Sequence, residues 1–173
     1  MDRRAFEFEF ANECWQSDIS VGPYITVNGK KHKTYIIAII DDATRLIIHC
    51  EAFFFDNLMA VLSVFKKGVS KRGIPKKLFV DNGKVYRSDQ MQFICASLGT
   101  ILCFARPYSP ESKGKIERWF KTLKDQWVNV IDWSGFNSLE ELNESLNRYV
   151  EGDYNIRAHS AIGISPMDKF LGH

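Results

Sequence analysis

Lys77-Leu78-Phe79-Val80-Asp81-Asn82-Gly83 is a short apolar run that stops on a carboxylate and a turn. Bounded this way, the run reads as a buried strand rather than part of a helix. Gly73-Ile74-Pro75 ahead of it stops a helix over Asn57 to Arg72, whose apolar Leu58, Val61, Leu62 and Phe65 recur at helical spacing. Behind it, Ser88 caps a second helix to about Leu98, Gly99 ends that helix, and Thr100 to Ala105 reads as a further strand. Strands alternating with helices in this way build a sheet with helices on its faces.

The flanks extend the pattern. Glu13 to Val21 reads as a first strand, and Asn28-Gly29 turns between two extended segments. Lys33 to Asp41 is rich in β-branched residues, and Asp41-Asp42-Ala43-Thr44 turns into a third strand over Arg45 to Phe54. A loop, Arg106-Pro107-Tyr108-Ser109-Pro110, leads into a long helix through Glu117 to about Val128. Ser138 with Glu141 is a capping box opening a helix to about Val150. Asp153 to His173 is a polar tail with a short helix near Ser165-Pro166-Met167. The reading is an α/β fold with a central five-stranded mixed sheet flanked by helices.

A chain of 173 residues fits one domain with a proper core. Its net charge of +2 does not by itself announce a nucleic-acid binder. The start, Met1-Asp2-Arg3-Arg4, lacks the apolar segment of a secretory signal, and no apolar stretch is long enough to cross a bilayer. The expectation is a cytoplasmic protein with no membrane partner. Cys14, Cys50, Cys95 and Cys103 form no CxxC pair, and no histidine joins them at zinc-ligand spacing. They read as free thiols in a reducing compartment.

Three carboxylates carry the chemistry. Asp18 lies in the first strand, Asp81 at a strand end and Glu117 on a helix, with 35 residues between the last two. Ligands of open α/β sheets gather at strand ends, where Asp81 stands. Such a set can hold two divalent cations that clamp the attacking and leaving oxygens of a phosphodiester. Nothing in the spacing places Asp18 beside Asp81. Asp41 and Asp42 form a tempting pair, but their turn context suits capping or pairing with a nearby arginine. Glu111 is six positions before Glu117 and faces elsewhere on a helix.

Trp15-Gln16-Ser17-Asp18, Ile40-Asp41-Asp42-Ala43-Thr44-Arg45, Val80-Asp81-Asn82-Gly83, Pro107-Tyr108-Ser109-Pro110 and Gly114-Lys115-Ile116-Glu117-Arg118 occur in that order. Together they resemble the catalytic core of bacterial insertion-sequence transposases, which join retroviral integrases in the DDE group on a ribonuclease-H-like fold. Tyr154-Asn155-Ile156-Arg157-Ala158-His159 with Ser165-Pro166 is similar to the segment closing that core. The resemblance covers about Asn12 to Phe170 and implies Asp18, Asp81 and Glu117 as catalytic, metal-binding residues. It implies two Mg²⁺ or Mn²⁺ ions, with strand cleavage at transposon ends and strand transfer into target DNA. It also implies a bacterial, nucleoid-associated setting and a homodimer or higher oligomer in the full-length protein.

Lys121 and Lys124 stand four and seven residues after Glu117, and Lys113 four before it, so all three are expected DNA contacts. The same family carries a basic residue seven after the glutamate. Lys66, Lys67, Lys71, Arg72, Lys76 and Lys77 crowd another segment, either as a solvated helix end or as a DNA surface. Trp15, Trp119, Phe120 and Trp127 read as packing residues. The expected organisation is a core over about 12–130 and a helical extension over about 131–173, without the DNA-end-binding domains of full transposases. Two alternatives stay open: another ribonuclease-H-like nuclease, and a degenerate core serving as a DNA-binding or interaction module.

Overall fold

The computed structural model describes residues 8–105 and 114–172. Seven strands run β1 (Cys14–Val21), β2 (Ile25–Val27), β3 (Lys30–His32), β4 (Tyr35–Asp41), β5 (Ile47–Phe53), β6 (Lys77–Val80) and β7 (Ile101–Phe104). The helices are α1 (Leu58–Arg72), α2 (Asp89–Leu98), α3 (Gly114–Leu123), α4 (Leu139–Gly152) and α5 (Pro166–Leu171). Five strands form one mixed sheet in the order β5-β4-β1-β6-β7, while β2 and β3 make a separate hairpin. β1, β4 and β5 pair antiparallel, and β6 and β7 join β1 in parallel. This is the five-stranded mixed sheet flanked by helices expected of a ribonuclease-H-like fold.

Strand β4 shows why both faces are covered. Side chains alternate along a strand, so Ile36, Ala38 and Ile40 pack with Ile116, Trp119 and Leu142 of α3 and α4. Ile37 and Ile39 pack on the opposite side with Val61, Phe65 and Met91 of α1 and α2. The tail returns to that second side, where Met167 and Phe170 of α5 join the cluster. Trp15, Trp119, Phe120 and Trp127 are all buried, as their reading as packing residues requires.

Helix ends follow their capping chemistry. The side chains of Asn57, Ser88 and Ser138 accept backbone N–H groups of Ala60, Met91 and Glu141. Gly99 closes α2 at φ +75°, a conformation glycine adopts without penalty. At the Asn28-Gly29 tip both residues have positive φ, the geometry that lets a two-residue turn join β2 to β3. One expectation needs correction. The helix through Glu117 does not run unbroken to Val128: α3 gives way at Lys124 to a π turn, closed by Asn129 N–H on the Lys124 carbonyl. The wider turn seats Trp127, whose indole N–H donates to Ser145 Oγ at 3.0 Å.

The outer edge of β5 is also closed. The Asn155 side chain accepts from Ile47 N–H and donates to Ile47 C=O. Asn143 does the same at Ala52. Each carboxamide stands where a neighbouring strand's peptide group would stand.

Gly68 lets α1 approach the sheet, because a Cβ there would lie 2.9 Å from Ile48 Cγ2. Gly68→Ala gains about 1 kcal/mol of helix propensity but overpacks the contact by about 1–3 kcal/mol. The expected result is a net loss of stability, read as a lower urea midpoint at unchanged slope. A midpoint raised above the parent's would show that the sheet yields at no cost.

Candidate active site

The parallel pairing of β1 with β6 runs Cys14–Lys77, Trp15–Leu78 and Gln16–Phe79. Carried two residues further, that register sets Asp18 beside Asp81, along neighbouring strands spaced about 4.8 Å apart. Both side chains line one open cleft of about 420 Å³, together with Tyr35, Asp56, Lys84 and Tyr86. The adjacency that spacing left open is therefore a product of the fold.

Each carboxylate is held locally. Asp18 Oδ1 accepts the N–H of Ile19 at 2.9 Å, and Asp81 Oδ1 accepts that of Gly83 at 2.7 Å. Behind them Tyr86 is buried, its hydroxyl 3.1 Å from Ser17 Oγ. Burial pushes the Tyr86 hydroxyl far above its ordinary range, the Ser17 hydrogen bond opposes this, and the charges of Asp18 and Asp81 add to the rise. Tyr86 thus stays a neutral hydrogen-bonding wall beneath two negative groups.

Gly83 is fitted tightly to Asp81: a Cβ there would stand 2.9 Å from Asp81 Oδ1. Gly83→Ala is expected to displace that carboxylate and lower any activity of the cleft roughly tenfold to a hundredfold, with little change in melting temperature. Parallel rate and melting measurements check it, and unchanged rates would mean that the carboxylate tolerates the shift.

Glu117 arrives from the other direction. It lies in the first turn of α3 and is exposed. The turn is docked on β1, because Gln16 Oε1 accepts Ile116 N–H at 3.1 Å. Gln16 and Asp18 are two residues apart and project from the same face of β1. Glu117 is not among the residues lining the cleft, whereas Asp56, which the sequence reading passed over, is. Among the described residues, no three Asp, Glu, His or Cys side chains stand close enough together to enclose a metal ion. Lys121, one turn after Glu117 on α3, and Lys124, which opens the π turn, are both exposed, while Lys113 and Glu111 lie outside the described residues.

The fit of a divalent ion can be judged from the donors. Mg²⁺ and Mn²⁺ take hard oxygen ligands, and Mg²⁺ commonly uses one or two carboxylates, completing its shell with water and substrate phosphates. The Asp18–Asp81 pair in an open cleft matches that requirement.

Asp41 and Asp42 serve structure, as their turn context suggests. Asp41 accepts from the hydroxyl and N–H of Thr44 and from Asn12 N–H. Burial is the main influence on Asp41 and raises its pKa, against those hydrogen bonds. Asp42 takes a more distant partner than the nearby arginine expected: its carboxylate pairs with Lys115. His159 is likewise structural, bonding the Tyr154 carbonyl at 2.9 Å. Of the basic helix end, Lys67 pairs with Glu51, and Lys71 and Arg72 with Glu151.

Comparison with known proteins gives one consistent result. A family model described as integrase core domain matches residues 9–110, and a second of the same description matches 99–166. The transposase of transposon Tn552 from Staphylococcus aureus is 27% identical, over 92% of this chain and 37% of its own length. A putative transposase of insertion sequence element IS5376 from Geobacillus stearothermophilus is 30% identical over 57% of this chain and 26% of its own. The chain thus spans well under half the length of these relatives. In structure, the HTLV-2 integrase catalytic core domain in complex with magnesium superposes with a TM-score of 0.67 at 16% identity, covering 93% of this chain and 97% of that one. A chain of the simian T-cell lymphotropic virus intasome in complex with PP2A regulatory subunit B56 gamma gives 0.70 at 16% identity, covering 96% of this chain and 57% of that one.

Proposed function

Because the chain belongs to the integrase core domain family, we propose that it is the catalytic core of an insertion-sequence transposase, a metal-dependent polynucleotidyl transferase. The proposed reaction is DNA strand cleavage at transposon ends followed by strand transfer into target DNA. The observation that carries this reading is the meeting of Asp18 and Asp81 at one cleft, set by the parallel register of β1 and β6.

In this reading Asp18 and Asp81 hold the divalent cations, Mg²⁺ or Mn²⁺, and Glu117 completes the ligand set when DNA is bound. Divalent ions at such a site supply Lewis-acid stabilisation of the attacking and leaving oxygens of a phosphodiester. The chain's own residues do the rest. Ile19 and Gly83 N–H groups orient the two carboxylates. Tyr86 walls the cleft floor. Lys121 and Lys124, with Lys113, neutralise phosphates beside the scissile bond. DNA is the proposed partner, and self-association is proposed for the longer protein. No helix among the described residues is long and apolar enough to cross a membrane. Residues of about 12–130 are proposed as the core and about 131–173 as its helical extension.

The test is product analysis. The chain is incubated with Mn²⁺, a DNA duplex carrying a recessed 3′ end of the element and a supercoiled target. Joined strands would support transesterification. Nicks alone would favour a nuclease of the same fold, and no reaction with intact DNA binding would favour a degenerate core.

A further inference from the structure

A heavily buried ion pair stands near the site but outside the cleft. Asp42 and Lys115 form an ion pair at 2.5 Å, with side chains 1% and 10% exposed. Gln16, also buried, bridges them to the helix: its Nε2 donates to Asp42 Oδ1 at 2.8 Å and its Oε1 accepts Ile116 N–H at 3.1 Å. The Ile116 N–H is one of the first-turn donors that a helix cannot satisfy internally. Three separate segments therefore meet at one point: strand β1, the turn after β4 and the first turn of α3.

We infer that the Gln16–Asp42–Lys115 network is a positioning device that holds Glu117 at a fixed offset from Asp18. Gln16 is two residues from Asp18 on one strand face. Lys115 and Ile116 immediately precede Glu117. Both ends of the network thus lie within two residues of a carboxylate, and through Gln16 the first turn of α3 is tied directly to β1. An ion pair this buried is a costly way merely to stabilise, since apolar residues of similar volume serve that end as well. What a directional, charged, three-point contact adds is a defined rotation and height of the helical turn. Gly114 starts that turn without a side chain to brace it, so the bracing comes from across the sheet. The inference rests on the reading of Glu117 as a metal ligand.

The test is Mn²⁺ titration by electron paramagnetic resonance on the chain with a short blunt DNA duplex. It uses the parent, Glu117→Gln, the neutral double variant Asp42→Asn/Lys115→Gln, and their combination. The double variant removes both charges together so that neither is stranded. The expected result is a Mn²⁺ affinity weakened about tenfold by Glu117→Gln and by a similar factor in the double variant, the scale of loss typical when a ligand's supporting partner is removed. In the Glu117→Gln background the double substitution is then expected to cause no further loss, because residues acting through one another are not additive. Exchange of the Ile116 amide hydrogen should also quicken. A double variant that binds Mn²⁺ like the parent, or whose loss persists undiminished without Glu117, would overturn the positioning role. Parent-like binding by Glu117→Gln itself would overturn the ligand reading first, and the positioning role with it. Should the double variant lose its cooperative melt, Gln16→Met carries the same comparison.

Discussion

Asp81→Asn is expected to remove strand-joining activity by about 10³-fold or more, equivalent to ~4 kcal/mol of transition-state stabilisation. The fold should barely notice. Asp81 stands at the open end of β6, and its acceptor role toward Gly83 N–H is kept by the asparagine oxygen. Loss of the negative charge is what matters, because a hard divalent cation binds a carboxylate far better than a carboxamide. Melting temperature is expected to shift by no more than about 2 °C, the scale of a solvent-facing substitution in a domain of this size. Gel analysis of joined products, beside calorimetric Mn²⁺ titration, checks both halves. Full activity in the variant would end the proposal that this cleft is the catalytic centre.

Trp127→Ala should produce the largest loss of stability, about 3–5 kcal/mol for a buried large-to-small change. The indole is buried in the π turn, meets Trp133 edge-on at 4.7 Å between ring centres and donates to Ser145 Oγ. Removing it empties the seam between α3 and α4 and strands a buried hydroxyl. A fall in melting temperature of about 10 °C is expected, with unfolding that stays cooperative. A loss below about 1 kcal/mol would mean that Trp133 swings in to fill the space.

These two residues show what the sequence made legible. Capping residues and apolar spacing marked Asn57, Ser88, Gly99 and Ser138, because helix ends are decided by groups within four positions. The position of Asp81 at a strand end was local in the same sense. Its proximity to Asp18 was not, since parallel pairing joins segments more than sixty residues apart and leaves no trace in either. The π turn at Lys124 also escaped, because a helix and its one-residue widening share the same apolar pattern. Asp42, by its turn context, suits capping or pairing with a nearby arginine. Its carbonyl does receive Arg45, but its carboxylate reaches Lys115, a partner 73 positions away. Gln16 stands two residues before Asp18, and its bonds to Asp42 and Ile116, 26 and 100 positions away, leave no local mark in the sequence. The family resemblance carried the fold and the expectation for Glu117, which the structure places on the exposed side of α3 rather than in the Asp18–Asp81 cleft.

The carboxamides of Asn143 and Asn155 bear on how copies of this chain can meet. Edge strands are where sheets of separate molecules fuse, and β5 is one outer strand of this sheet. With Ile47 and Ala52 already bonded on their outer side, an incoming strand finds its docking points taken. Any assembly of several copies would then be steered away from those two points of β5. A chain shortened after residue 130 would lack both asparagines and bare that edge. Its expected fate is concentration-dependent aggregation. Residues 131–173 would then be insulation, keeping neighbouring molecules from zipping together.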